Sequence, residues 1–89
     1  GGVTIDPARY IVKRNGEEIS LPRKEFALLT LLMSDPGRLF SREEIYSRVW
    51  GEDVVVGDRT IDVHIRKLRQ KIGDEHIITV KGVGYKYEK

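Results

Sequence analysis

Between Asp58 and Ile72 the apolar residues recur at the spacing of one side of an α-helix. At 100° per residue, Ile61, Ile65, Leu68 and Ile72 fall within about 60° of one another, so a helix over 58–72 has one narrow stripe to bury. Its opposite side carries Arg59, Val63, Arg66, Lys67 and Gln70. Upstream the period shortens. Val3-Thr4-Ile5, Tyr10-Ile11-Val12 and Glu18-Ile19-Ser20-Leu21 read as short strands, with Asn15-Gly16 supplying a tight hairpin turn, so residues 1–21 should form an antiparallel sheet of four strands or fewer. From Pro22, which suits a helix's first positions, Phe26, Ala27, Leu28, Leu29, Leu31, Leu32 and Met33 make a segment apolar nearly all round. A centrally buried helix over 22–34 is expected, ended by Asp35-Pro36-Gly37.

After a short extended link, Ser41 and Glu44 form a capping box, and Phe40 and Ile45 occupy the hydrophobic-staple positions, which predicts a second helix over 42–50. Residues 51–57 make a loop, Asp58 caps the third helix and Gly73 ends it. Then β-branched Ile77 to Val80, the turn residues Lys81-Gly82-Val83-Gly84 and the alternating Tyr85-Lys86-Tyr87 predict a hairpin over 76–88. The whole is an α+β arrangement: an N-terminal antiparallel sheet, three helices and a C-terminal β-hairpin wing, in one winged helix-turn-helix domain over 1–89.

Charge sharpens this picture. Residues 1–56 hold eight basic and nine acidic side chains, whereas residues 57–89 hold eight and five, so a formal net charge of only +2 conceals a basic C-terminal third. Arg59 to Lys71 alone carries five basic residues and one acid, Asp62. A cationic helix face fits the major groove of duplex DNA, where Lys and Arg displace condensed counterions. On that face Val63 either contacts a thymine methyl or is simply an isolated exposed valine, and Lys67 can donate to the acceptor edge of guanine. At the hairpin tip Lys81 can enter a minor groove, and the hydroxyls of Thr79 and Tyr85 can hold phosphates; a plain surface hairpin with packed tyrosines is the competing account. Asp62 stands four residues before Arg66 and is expected to pair with it, aiming Arg66 at the DNA backbone.

Other chemistries find little support. His64 and His76 are the only histidines and have no metal-ligand spacing, no catalytic motif is recognisable, and no cofactor or enzymatic activity is expected. His64 fits a phosphate contact and His76 is read as surface. The chain has no cysteine and no apolar run approaching the roughly 20 residues of a membrane span, and its Gly1-Gly2-Val3 start carries no signal-peptide pattern. A cytoplasmic location is expected, and a start without methionine suggests a fragment of a longer chain.

With the elements placed, Trp50-Gly51, the run Asp58 to Arg69 and Val80-Lys81-Gly82-Val83-Gly84-Tyr85 closely resemble the OmpR/PhoB family of bacterial response-regulator output domains, over essentially the whole chain. The resemblance implies a transcription factor of a two-component phosphorelay that binds double-stranded DNA sequence-specifically. Its N-terminal receiver domain, absent from this sequence, would be phosphorylated by a sensor histidine kinase. By matched position, the resemblance implies that the third helix lies in the major groove with Val63 and Lys67 at base edges. Arg59, Thr60, His64, Arg66 and Arg69 would hold the backbone or flanking positions, Trp50 would reach a phosphate, and Thr79 and Tyr85 match phosphate-contacting positions of the wing. Lys81 stands where many relatives have arginine, and Lys67 where some do, leaving point charges in place of planar forks. Residues 51–57 look like a transactivation loop that touches RNA polymerase through Glu52, Asp53, Val54, Val55 and Val56; the alternative is that one or two valines pack under the loop. The resemblance also implies a monomer in solution and tandem head-to-tail binding of a second copy at direct-repeat promoter sites about one helical turn apart. A winged-helix module for protein interaction or RNA is the alternative function, because fold alone does not fix function.

Overall fold

The computed structural model describes residues 2–51 and 59–89, without the side chains of residues 59 and 60. Strands β1 (Val3–Asp6), β2 (Ile11–Arg14) and β3 (Glu17–Ile19) form an antiparallel sheet in that order. Its second hairpin turns through Asn15 and Gly16 at φ 51° and 86°, both in the left-handed region that a two-residue turn of this hand requires. Helix α1 (Arg23–Met33) follows, one residue shorter at each end than the predicted 22–34.

The link after α1 contains a strand, β4 (Phe40–Ser41), which passes directly into α2 (Arg42–Ile45) and then a π-helical turn, Tyr46–Trp50. Together the last two fill the predicted span 42–50. The capping box is only half formed. Ser41 accepts from the Glu44 amide at 3.1 Å, but the Glu44 carboxylate faces Arg38 at 2.8 Å and Arg48 at 3.5 Å. The physical reason is that Ser41 already stands in a strand, opposite Gly84, so the helix start is held by sheet pairing.

Helix α3 (Arg59–Ile72) leads into β5 (Ile77–Val80) and β6 (Gly84–Tyr87), and the second sheet has the order β4-β6-β5. The wing hairpin is thus seated on the helix-turn-helix by β4, a pairing that a two-residue strand is too short to announce. Gly84 serves this pairing and is not a turn residue: a Cβ there would overlap the Phe40 carbonyl, so only glycine lets the strands approach. Asp58, the expected cap of α3, lies outside the described residues.

One core joins all elements. Leu28, Leu29 and Leu32 of α1 pack with Phe40, Ile45 and the α3 stripe Ile61, Ile65, Leu68 and Ile72, all essentially without solvent exposure. Within this apolar layer one carboxylate is buried. Glu25 of α1 is 2% exposed and accepts from Lys71 Nζ at 3.0 Å, tying α1 to the last turn of α3. Arg14 reaches the Lys71 carbonyl at 3.4 Å, placing a cation at the negative end of α3 and joining the N-terminal sheet to it. His76, expected at the surface, is buried: it stacks on Tyr87 at 5.5 Å, and its Nδ1 lies 3.0 Å from the Glu88 carbonyl. The cause is that β6 runs beside it, which local sequence does not reveal. Among the described residues no helix is long and apolar enough to cross a membrane.

Removing Lys71 strands a buried carboxylate, whereas Glu25→Gln removes the charge itself. Lys71→Met should therefore lower stability in urea unfolding by about 3 kcal/mol, with a smaller loss for Glu25→Gln; equal losses would show that the pair carries no net charge coupling.

Candidate nucleic-acid interface

Burial of the four-residue stripe decides what α3 presents outward. Val63 is 44% exposed although apolar, and Arg66, Lys67 and Gln70 are exposed beside it. Lys81, Gly82 and Val83 project at the wing tip, where Val83 is also exposed. The structure therefore leaves the predicted base-reading residues, one predicted backbone contact and the wing cation as accessible groups. Two further predicted contacts, Arg59 and Thr60, have side chains outside the described residues, as do the loop residues Glu52, Asp53, Val54, Val55 and Val56.

The remaining predicted contacts face inward to different degrees. Trp50 is largely buried, with its ring 5.2 Å from His64 in an edge-on contact and 5.6 Å from Tyr46, so it buttresses α3 from the end of α2. His64 is correspondingly half-buried. Arg69 turns its guanidinium to the wing: Nη2 donates to the Ile77 carbonyl and to Thr79 Oγ1, each at 2.7 Å, and Nε adds a bond to the same carbonyl at 3.3 Å. Thr79 is exposed and uses only its acceptor in this contact, so its own O–H can still donate outward.

Tyr85 corrects the expectation most clearly. Its side chain is buried, and its single hydroxyl proton is donated to Asp62, so it has none for a phosphate. Asp62, in turn, is not the partner of Arg66. Its two carboxylate oxygens receive Arg42 Nη1 at 3.0 Å and Nη2 at 3.2 Å, and Arg42 Nη1 also lies 3.5 Å from the Tyr85 hydroxyl. The i, i+4 spacing permitted an Asp62–Arg66 pair, but α2 brings a planar fork to both oxygens at once, a stronger geometry than a flexible helix-surface contact.

The electrostatics follow from this arrangement. Hydrogen bonds from Arg42 and then Tyr85 hold Asp62 below the usual carboxylate range, with a lesser contribution from the nearby charge of Arg66. Asp62 and Tyr85 raise Arg42 further, while burial and the Asp62 carboxylate push the Tyr85 phenol up.

Sequence reasoning did not single out Arg42. One signal was available: a cation in the first turn of a helix sits at the positive end of the macrodipole, an unfavourable place unless an acid elsewhere compensates it.

A sequence profile described as "Transcriptional regulatory protein, C terminal" matches residues 16–87. The chain belongs to this family of OmpR/PhoB-type C-terminal domains. It is 46% identical to the sensory transduction protein RegX3 of Mycolicibacterium smegmatis, over 99% of this chain and 41% of that protein. Among solved structures, the response regulator DrrB of Thermotoga maritima, described as an OmpR/PhoB homolog, superposes with a TM-score of 0.91 at 32% identity, over all of this chain and 42% of that one. The DNA-binding domain of Klebsiella pneumoniae RstA, solved in complex with the RstA box, gives 0.88 at 31% identity, covering 99% of this chain and 92% of that one. The OmpR/PhoB-type domain is a DNA-binding domain of transcription regulation with the winged-helix fold, and this chain spans about two fifths of RegX3.

The acid side of the stability profile checks the Arg42–Asp62–Tyr85 geometry. Because Asp62 is lowered in the folded state, the unfolded chain binds more protons below about pH 4; the contribution of Asp62 is complete above that range and is lost as pH falls through its folded value. The urea midpoint of Asp62→Asn should therefore fall less steeply than that of the unsubstituted protein on acidification below pH ~4, and parallel profiles would contradict the assignment.

Proposed function

We propose that this domain reads a specific duplex sequence by laying α3 in the major groove and the tip of the β5–β6 hairpin in the adjoining minor groove. The observation that carries the reading is Val63, exposed directly opposite a fully buried stripe and flanked by Arg66 and Lys67. An apolar side chain with no core to enter suits a thymine methyl, and Lys67 one turn later suits a guanine edge. Arg66, with Arg59, Thr60 and His64, holds the phosphate backbone, Thr79 donates its hydroxyl proton to a phosphate, and Lys81 acts as a point charge in the minor groove. Trp50 and Arg69 contribute by supporting α3 and the wing, and whatever edge they expose meets the flanking backbone.

The domain is the output part of a two-component response regulator acting in the bacterial cytoplasm. Its N-terminal receiver takes a phosphoryl group from a sensor histidine kinase, and residues 52–56 meet RNA polymerase. The likeness to the response regulator DrrB, and the length of RegX3 beyond the matched part, support the presence of a further domain. Two copies bind in tandem on direct repeats: extents of 35 × 25 × 21 Å suit successive turns on one side of a duplex, about 34–36 Å apart.

Selection from a random duplex pool, followed by anisotropy titration across salt, tests the reading. A direct repeat should be recovered, bound far above a scrambled control and more weakly as salt rises. Indifference among duplexes, or preference for RNA, would overturn it. Lys67→Ala should relax preference at one base pair at a cost of about 1–3 kcal/mol, whereas Arg66→Ala should weaken all duplexes alike and flatten the salt slope by roughly one. Glu52→Lys or Asp53→Lys should leave operator binding intact and reduce activated transcription in a reconstituted assay; unchanged transcription in both removes the loop from the mechanism.

A further inference from the structure

Two side chains of α3, Asp62 and Arg69, are bonded to the wing. Thr79 and Tyr85 stand directly opposite one another in the β5–β6 register. Arg69 holds Thr79 and the neighbouring Ile77 carbonyl, and Asp62 takes the Tyr85 hydroxyl proton. Asp62 and Arg69 are seven residues apart, two turns or about 10 Å along the helix. The core, through Ile77, Tyr85 and Tyr87, and the β4–β6 pairing hold the base of the hairpin. Attachments at two levels of the helix fix its direction, and the tip at Lys81 inherits that direction.

Of the two, the Asp62 attachment depends on a third residue. The Asp62 side chain is about half exposed, and a lone carboxylate on the face turned to DNA would both repel phosphates and swing between rotamers. Arg42 prevents both. Its fork engages the two carboxylate oxygens, its guanidinium lies 5.9 Å from the centre of the Tyr85 ring, and its position at the start of α2 is set by β4, itself paired with β6. The helix that precedes the recognition helix, the recognition helix and the wing therefore meet at one carboxylate.

We propose that Arg42 and Asp62 are positioning residues for DNA recognition: through the Tyr85 hydroxyl they fix the wing relative to the groove-facing side of α3, so that major- and minor-groove contacts are made together. The inference rests on the DNA-binding reading and assigns Tyr85 to work inside the protein and not on a phosphate. Holding the wing before binding removes a conformational cost from association, so loosening it weakens operator binding although no DNA-contacting group has been removed.

A double-mutant cycle on operator affinity separates this role from a direct contact. Tyr85→Phe keeps the buried ring and should weaken binding about three- to tenfold, while in an Asp62→Ala background the same change should have almost no further effect, because the bond it removes has already lost its acceptor. The cycle cancels the gain in affinity that loss of a negative charge gives on its own. Additive losses would mean that Tyr85 acts on DNA itself and would overturn the proposal. A second readout needs no DNA. The chain has no cysteine, so spin labels at Val83→Cys and Glu17→Cys report the distance from wing tip to N-terminal sheet without background. The distribution should be narrow in the otherwise unchanged protein and broaden on Arg42→Gln or Asp62→Ala, with Arg42→Lys intermediate because it keeps the charge and loses the fork. An unchanged distribution in Arg42→Gln and Asp62→Ala would overturn the proposal. Failure of the unsubstituted domain to bind any duplex, with the distances responding as expected, would instead overturn the DNA-binding reading and leave the wing attachment standing.

Discussion

The burial of Ile61, Ile65, Leu68 and Ile72 orients every other side chain of α3. Each contributes about 2 kcal/mol by leaving water, so a rotation that exposed the stripe would cost several kcal/mol, more than any surface charge pair on the helix could offset. Val63, Arg66 and Lys67 face outward as a result of what the helix buries, and the interface needs no separate device to aim them. Affinity for a polyanion is thus a by-product of core packing combined with a choice of residue types on the far side.

Packing sets the rotation of α3 and, through Ile77, Tyr85 and Tyr87, seats the base of the wing in the same core. Outside the core, the hairpin is held through its backbone by the short β4–β6 pairing, made possible by the missing Cβ of Gly84, and by the Arg42 amide on the Val83 carbonyl and the Gly37 amide on the Tyr87 carbonyl. Its direction depends on polar groups: Arg69 on the Ile77 carbonyl and Thr79, and Asp62 on the Tyr85 hydroxyl. Hydrogen bonds are directional where apolar contacts are not, which makes them the better means of fixing an angle between two elements. At the other end of the molecule Glu25–Lys71 and Arg14 at the Lys71 carbonyl do the same for α1 and the N-terminal sheet. The last turn of α3 is therefore anchored to both upstream elements and, through Arg69, to the wing, and its first half to the wing and α2.

These polar contacts also account for the residues whose roles differ from expectation. Tyr85, Arg69 and Asp62 all lie in segments whose composition suggests an interface, and their polar groups are engaged inside the protein. Thr79 keeps both possibilities, since its oxygen accepts from Arg69 while its proton remains available. The chain is similar to a domain solved in complex with its DNA box, and the bonds of Arg69 and Asp62 tie α3 to the wing in a small fold that has no cysteine for disulfides.

Periodicity, turn residues and caps made the helices and the hairpins legible. The spacing of Ile61, Ile65, Leu68 and Ile72 gave the third helix and its buried side, Asn15-Gly16 gave the first sheet's hairpin, and Ser41 marked where α2 begins, because each of these depends on residues within a turn or two of one another. Exposure of Val63, Arg66, Lys67 and Lys81 followed from the same local rule. What only the tertiary structure decided was pairing between residues far apart in the chain. Asp62 had Arg66 within reach on its own helix and instead took Arg42, twenty positions away, because α2 delivers two donors in one plane. The β4–β6 strand pair, the burial of His76 and the Glu25–Lys71 bridge belong to the same class. A local pattern records which side of an element is apolar; it does not record which distant polar group the folded chain will bring to the other side.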